Sequence, residues 1–144
     1  MDEPVIRYYR RLLKNGFASI GSLERPSIFL DSIGEKVRIC GGIGNNYLHL
    51  YIAVVADEIV DIKYKCMCDP TANVAVEILC ELLPGKTLEQ ATRLNEESFL
   101  EVLGGPSPEL SKRARGLLEL LARGIARYRQ VGEDQAEPTT RRGV

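Results

Sequence analysis

Two neighbouring stretches of period-two alternation constrain this chain more than any other feature. Leu48, Leu50, Ile52 and Val54 share one side of a strand, with Tyr47, His49, Tyr51 and Ala53 on the other. A few residues on, Val60, Ile62 and Tyr64 alternate with Asp61, Lys63 and Lys65. The short segment Ala56-Asp57-Glu58 between them predicts an antiparallel hairpin, greasier on one face than on the other. A third candidate strand, Lys36 to Ile39, precedes it. A half-apolar sheet of this kind must bury its apolar face under helices.

The rest of the chain supplies them. Residues 4–15 read as an amphipathic helix with Pro4 in its first turn and Val5, Tyr8, Tyr9, Leu12 and Leu13 at helical spacing. Gly16 stops it, and a loop runs from Ser19 to about Pro26. Asp69-Pro70 is an N-cap carboxylate followed by a first-turn proline, so a helix runs from there to about Leu83, before Pro84-Gly85. Thr87 with Gln90 resembles a capping box, and Asn95 opens another short helix that Gly104-Gly105-Pro106 breaks. Ser107-Pro108 starts a long final helix to about Gln130. The expected fold is therefore α+β: a three-stranded antiparallel sheet covered on one side by helices, with an N-terminal helix and a long C-terminal one. Residues 1–131 form a single domain, and 132–144 are expected to be a disordered charged tail.

Composition removes several function classes. With 144 residues and 44% apolar content the chain can bury a core without disulfides. No apolar run approaches the ~20 residues that cross a bilayer, and Asp2 and Glu3 stand where a secretory signal needs positive charge. A cytoplasmic protein with reduced thiols is expected. The net charge of −1 gives no general attraction to nucleic acid or membrane. There is no P-loop, no Gly-x-Ser-x-Gly, and a single histidine, so an enzyme is not expected. His49, mid-strand between two tyrosines, reads as a satisfied or solvated side chain. Lys112, Arg115, Arg123 and Arg127, with Glu119 among them, read as a solvated helix face.

The four cysteines are the remaining source of chemistry. If the third strand extends to its end, Cys66 and Cys68 point the same way, next to a helix start whose N–H groups favour thiolates. Two such thiols can share a metal, with Asp69 as an oxygen ligand beside them, or form a redox pair. Packing and helix capping account for the same residues without chemistry. Cys40 precedes the flexible Gly41-Gly42-Ile43-Gly44 and is a further candidate. Cys80 lies eleven residues beyond Asp69 on the same helix, roughly 16 Å along the axis, and reads as structural.

The order of these elements, with Gly21-Ser22-Leu23, Lys63-Tyr64-Lys65 before a helix start, and Gly85-Lys86-Thr87-Leu88-Glu89-Gln90-Ala91, resembles the IscU / NifU N-terminal family over roughly residues 5–130. Members of that family are iron–sulfur cluster assembly scaffolds. The resemblance implies a carrier that holds iron, an Fe–S cluster or zinc through Cys40, Cys66, Cys68 and Asp69, with a cysteine desulfurase among its partners. It also implies a His-Cys pair at the start of the last helix, where this chain has Leu110-Ser111-Lys112 and no Cys or His after Cys80. Counting back from Gly85-Lys86-Thr87 puts Asp69, with Cys68 one residue before, at the family's second ligand position. Gly105-Pro106-Ser107-Pro108 stands in place of the segment read by the dedicated chaperone. A non-enzymatic adaptor that keeps the fold without cluster chemistry is the alternative.

Overall fold

The computed structural model of the chain describes residues 1–32 and 46–142, with side chains as far as Gly132. The candidate strand at Lys36–Ile39, Cys40 and the glycine loop after it lie outside the described residues. Within them, the elements run α1 (Glu3–Asn15), β1 (Ile28–Asp31), β2 (Tyr47–Val55), β3 (Glu58–Met67), α2 (Pro70–Leu82), α3 (Leu88–Thr92), α4 (Glu96–Leu103) and α5 (Pro108–Arg142). The three strands form one antiparallel sheet in the order β1-β2-β3, the α+β arrangement expected from the sequence.

The β2–β3 hairpin is tighter than the sequence suggests. Ala56 and Asp57 both have positive φ, 51° and 67°, and form the two-residue connection between the paired Val55 and Glu58. Both signs match the primed turn whose twist suits a hairpin. A register shift follows at Ala53/Val54, so that Val54 faces Ile59 while Ala53 faces Asp61. The extra residue turns Val60 outward, 49% exposed, and puts Ile59 into the core. This corrects the simple alternation expected through Val60; Ile62 and Tyr64 point inward as expected.

The inner face carries Ile28 and Leu30 from β1, Leu48, Leu50 and Ile52 from β2, and Ile59, Ile62 and Tyr64 from β3. Against it pack α2, buried from Thr71 to Cys80 except for Asn73, and the stripe Leu110, Ala114, Leu117, Leu120, Leu121 and Ile125 of α5. In α1, Val5 and Tyr8 are buried, whereas Leu13, expected on the apolar face, is exposed. α5 continues to Arg142, past the Gln130 at which its apolar pattern ends.

The Gly85-Lys86-Thr87-Leu88 motif has a structural explanation at every position. Gly85, with φ +88°, turns the chain so that its N–H and the Lys86 carbonyl bond Ile59 at the start of β3. Thr87 and Gln90 form the reciprocal capping box of α3, and Leu88 is fully buried. Asn95 and Ser98 cap α4 in the same manner.

Candidate functional site

The end of β3 and the start of α2 meet where the sequence placed its chemistry. Cys66 lies opposite Leu48 on the core side of β3, half-buried and packed against the core. Met67 turns outward, 57% exposed, and Cys68 returns to the core side just beyond the strand. The Cys68 thiol donates to the Tyr47 carbonyl at 3.7 Å, tying it to the start of β2. Neither thiol forms a disulfide.

Asp69 is fully engaged. Its Oδ1 accepts from the Ala72 N–H at 2.8 Å, the cap expected from the Asp-Pro pair. Its Oδ2 accepts from the Arg113 guanidinium at 2.7 Å. Arg113 comes from the second turn of α5, next to the place where the family resemblance implies a His-Cys pair, and the sequence reading missed it. A signal was available: Leu110, Arg113, Ala114 and Leu117 fall on one stripe at helical spacing, so a cation there has to find an acid.

The α5 start is bound from two further directions. Ser107 caps the helix through the Leu110 N–H at 3.0 Å and itself donates to Asp2 at 2.6 Å. The Thr71 hydroxyl reaches Glu109 at 3.5 Å.

The thiols contribute soft donors of the type that iron, clusters and zinc take. Among the described residues no three Cys, His, Asp or Glu side chains converge as a metal-holding group. Cys66, Cys68 and Asp69 are thus neighbours along the chain without forming a ligand set by themselves. Cys80 lies apart, buried in α2, its thiol pushed up by burial and by the Glu77 charge, with Ser19 hydrogen bonding drawing it part of the way back. His49 sits on the outer face of the sheet between Tyr47 and Phe29, with its Nε2 3.5 Å from Asp31. Of the basic face on α5, Arg115 pairs with Glu96.

A polar cluster sits further along the same inner face. Tyr64 donates to Glu77 at 2.6 Å and lies 2.8 Å from Asn73 Oδ1. One phenol proton serves one acceptor, so the Asn73 amide turned about to present its nitrogen completes the network. Burial raises the Glu77 carboxyl, partly offset by the Tyr64 and Ser19 hydrogen bonds.

No helix among the described residues is long and apolar enough to cross a membrane. No curated protein matches the sequence. The fold recurs among solved structures, two of which are compared with this chain. A nitrogen-fixing NifU-like protein (N-terminal) from Brucella abortus aligns over 90% of this chain and 94% of its own, with a TM-score of 0.59 and 13% identity. A structure described as an iron–sulfur cluster assembly scaffold protein for the SUF system, from the thermophilic Fervidobacterium islandicum AW-1, aligns over 87% of this chain and 96% of its own, with a TM-score of 0.55 and 17% identity. Residues 27–134 match the NifU-like N terminal domain, three quarters of the chain and all of the sheet, so the chain belongs to the family of NifU-like N terminal domains.

Proposed function

We propose that the protein is a non-enzymatic scaffold for iron–sulfur cluster assembly, acting in the cytoplasm, whose cargo is held by thiolates at the end of β3. Family membership supports the class. The observation that carries the site is the pair of core-side thiols, Cys66 and Cys68, at the junction of a strand end with the N-terminus of α2. Thiolates are soft donors that accept iron, sulfide-bridged iron or zinc. Two thiols leave a ligand set incomplete, so this reading assigns Cys40 as the third donor. In this role the protein's own groups bind and orient the cargo, and a cysteine desulfurase is the partner that delivers sulfur. Anaerobic reconstitution with ferrous iron and sulfide tests it. Wild type is expected to retain iron, sulfide and visible absorbance, and Cys68→Ala and Cys40→Ala to lose most of all three. A wild type that binds no iron, or variants that bind it equally well, would sink the reading.

One observation favours a second reading. Both Asp69 oxygens are already committed, one to the helix cap and one to Arg113, which is the arrangement of a structural clamp. An adaptor that keeps the scaffold fold and binds assembly partners without holding a cluster fits it. This reading expects a variant with all four cysteines replaced by serine to capture a cysteine desulfurase as well as wild type does. Loss of capture in that variant would count against it.

A further inference from the structure

A small cleft opens between the second half of α1, the end of α2 and α4. It has a volume of about 220 Å³ and is lined by Tyr8, Arg11, Leu12, Asn15, Glu81 and Val102. It is remote from the thiols, since Glu81 lies twelve residues beyond Asp69, about 18 Å along α2. Tyr8 is the common support of its charged groups. The side chain is buried, and its hydroxyl donates to Glu81 Oε2 at 2.9 Å. Burial above all, and the Glu81 contact after it, hold the phenol proton in place. The Arg11 guanidinium rests over the Tyr8 ring, 4.8 Å from its centre. One ring thus orients a cation and an anion at the same cleft. Among the described residues neither Arg11 nor Glu81 forms an ion pair, with each other or with a third group.

We propose that this cleft binds a free α-amino acid with an apolar side chain, its carboxylate on Arg11 and its ammonium on Glu81. The two protein charges are opposite in sign and do not meet, so a ligand that satisfies both carries both signs a short distance apart. A phosphate or a dicarboxylate would satisfy Arg11 and be repelled by Glu81, and a polyamine would meet the reverse. A zwitterion gains at each end. The rest of the lining selects its side chain: Leu12 and Val102 present half-buried apolar surface, and the Asn15 amide can hydrogen bond either end of the ligand.

Size and exposure set the strength. The cleft is smaller than the ~300–1,000 Å³ of sites for drug-sized molecules, which suits an amino acid the size of valine or leucine. Arg11 and Glu81 are both exposed, so salt and water screen their contacts. A ligand held by two screened charge contacts and one apolar patch is expected to have a dissociation constant on the order of 1 mM. When bound, it links α1 to the end of α2 opposite Cys66 and Cys68, and it does not compete with cargo at the thiols.

Proton–nitrogen correlation NMR on the full-length protein, titrated with L-leucine to about 50 mM, tests the proposal. Saturable shifts are expected at the amides of Leu12, Asn15, Glu81 and Val102, with a midpoint on the order of 1 mM. N-acetyl-L-leucine lacks the ammonium and L-leucinamide lacks the carboxylate, and each is expected to bind about tenfold or more weakly. Arg11→Gln is expected to lose affinity for leucine by a similar factor and to bind leucinamide as wild type does. Glu81→Gln, which keeps an acceptor for the Tyr8 hydroxyl, is expected to behave likewise with N-acetyl-leucine. This crossed pattern separates lost contacts from lost folding. A variant that does not fold shows it in the same spectrum, and the three ligands on wild type then decide. No saturable shift with leucine, shifts confined to other parts of the chain, equal binding of leucine and its two derivatives, or folded variants that bind leucine like wild type would each overturn the proposal.

Discussion

Arg113 on α5 donates to Asp69 Oδ2 at 2.7 Å, while the other oxygen of Asp69 caps α2 through the Ala72 N–H. One carboxylate thus fixes the start of α2 and joins it to α5, with both members of the ion pair largely shielded from solvent. Asp69→Ala removes the cap and the ion pair together and is expected to lower stability by about 2–3 kcal/mol. Asp69→Ser keeps a capping oxygen and loses the pair, so about 1–2 kcal/mol is expected, with a similar loss for Arg113→Met. Urea unfolding of the three variants separates the contributions. Arg113→Met as stable as wild type would show that the pair is no clamp.

The sequence made local features legible and left tertiary ones hidden. The caps at Asp69, Thr87 and Asn95 depend on residues within three positions of each other, and all three form as expected. β1 was not recognised: its four residues Ile28–Asp31 alternate correctly, but the run is too short to stand out from the loop before it. The inward turn of Ile59 depends on a two-residue connection at Ala56-Asp57, which lacks the glycine or asparagine that usually announces one. The Asp69–Arg113 contact spans 44 residues and could be seen only as a cation within an apolar stripe. The domain limit near residue 131 stands as a proposal: among the described side chains the last buried one of α5 is Ile125, with Tyr128 partly covered. Removing 132–144 is expected to change stability by less than about 0.5 kcal/mol, measurable by thermal melting. A larger loss would move the boundary.

Gly124 is where α5 crosses β1. A methyl group there would lie 2.2 Å from Leu30 Cδ2 and 3.4 Å from Ile28 Cγ2, and Leu30 is fully buried with no room to retreat. Helix propensity alone would make Gly124→Ala stabilising by about 1 kcal/mol. Overpacking costs about 1–3 kcal/mol and outweighs it, so a net loss is expected. Leu30→Ala, destabilising by itself, should recover part of its loss when combined with Gly124→Ala. Strict additivity in that double-mutant cycle would contradict the contact.

The thiols should separate by reactivity. Cys80 is 5% exposed, and burial together with the Glu77 charge suppresses its ionisation. Cys66 and Cys68 are half-buried at the end of the sheet, where reagent has access. Iodoacetamide at about pH 8 is therefore expected to label Cys66 and Cys68 well before Cys80, which should react only on unfolding. Peptide mapping by mass spectrometry reads the order. Early labelling of Cys80 would mean that α2 opens far more readily than its packing implies.

Glu77 should give the protein a pH dependence of its own. Burial, the largest influence, raises its carboxyl above the ordinary value, and the Tyr64 and Ser19 hydrogen bonds only partly offset this. An acid whose affinity for its proton rises on folding stabilises the fold while protonated, and this contribution fades as pH climbs through the folded pKa. Carboxylates held by cations behave oppositely, so the effect has to be read as a difference between two proteins. Glu77→Gln stays neutral throughout, keeps the side chain's shape and can still accept from the Tyr64 hydroxyl at its Oε1. From about pH 4 to pH 7 the melting temperature of wild type is therefore expected to fall relative to that of Glu77→Gln. A difference that stays flat across this range, or that moves the other way, would show that the Tyr64 and Ser19 hydrogen bonds outweigh the burial of the charge.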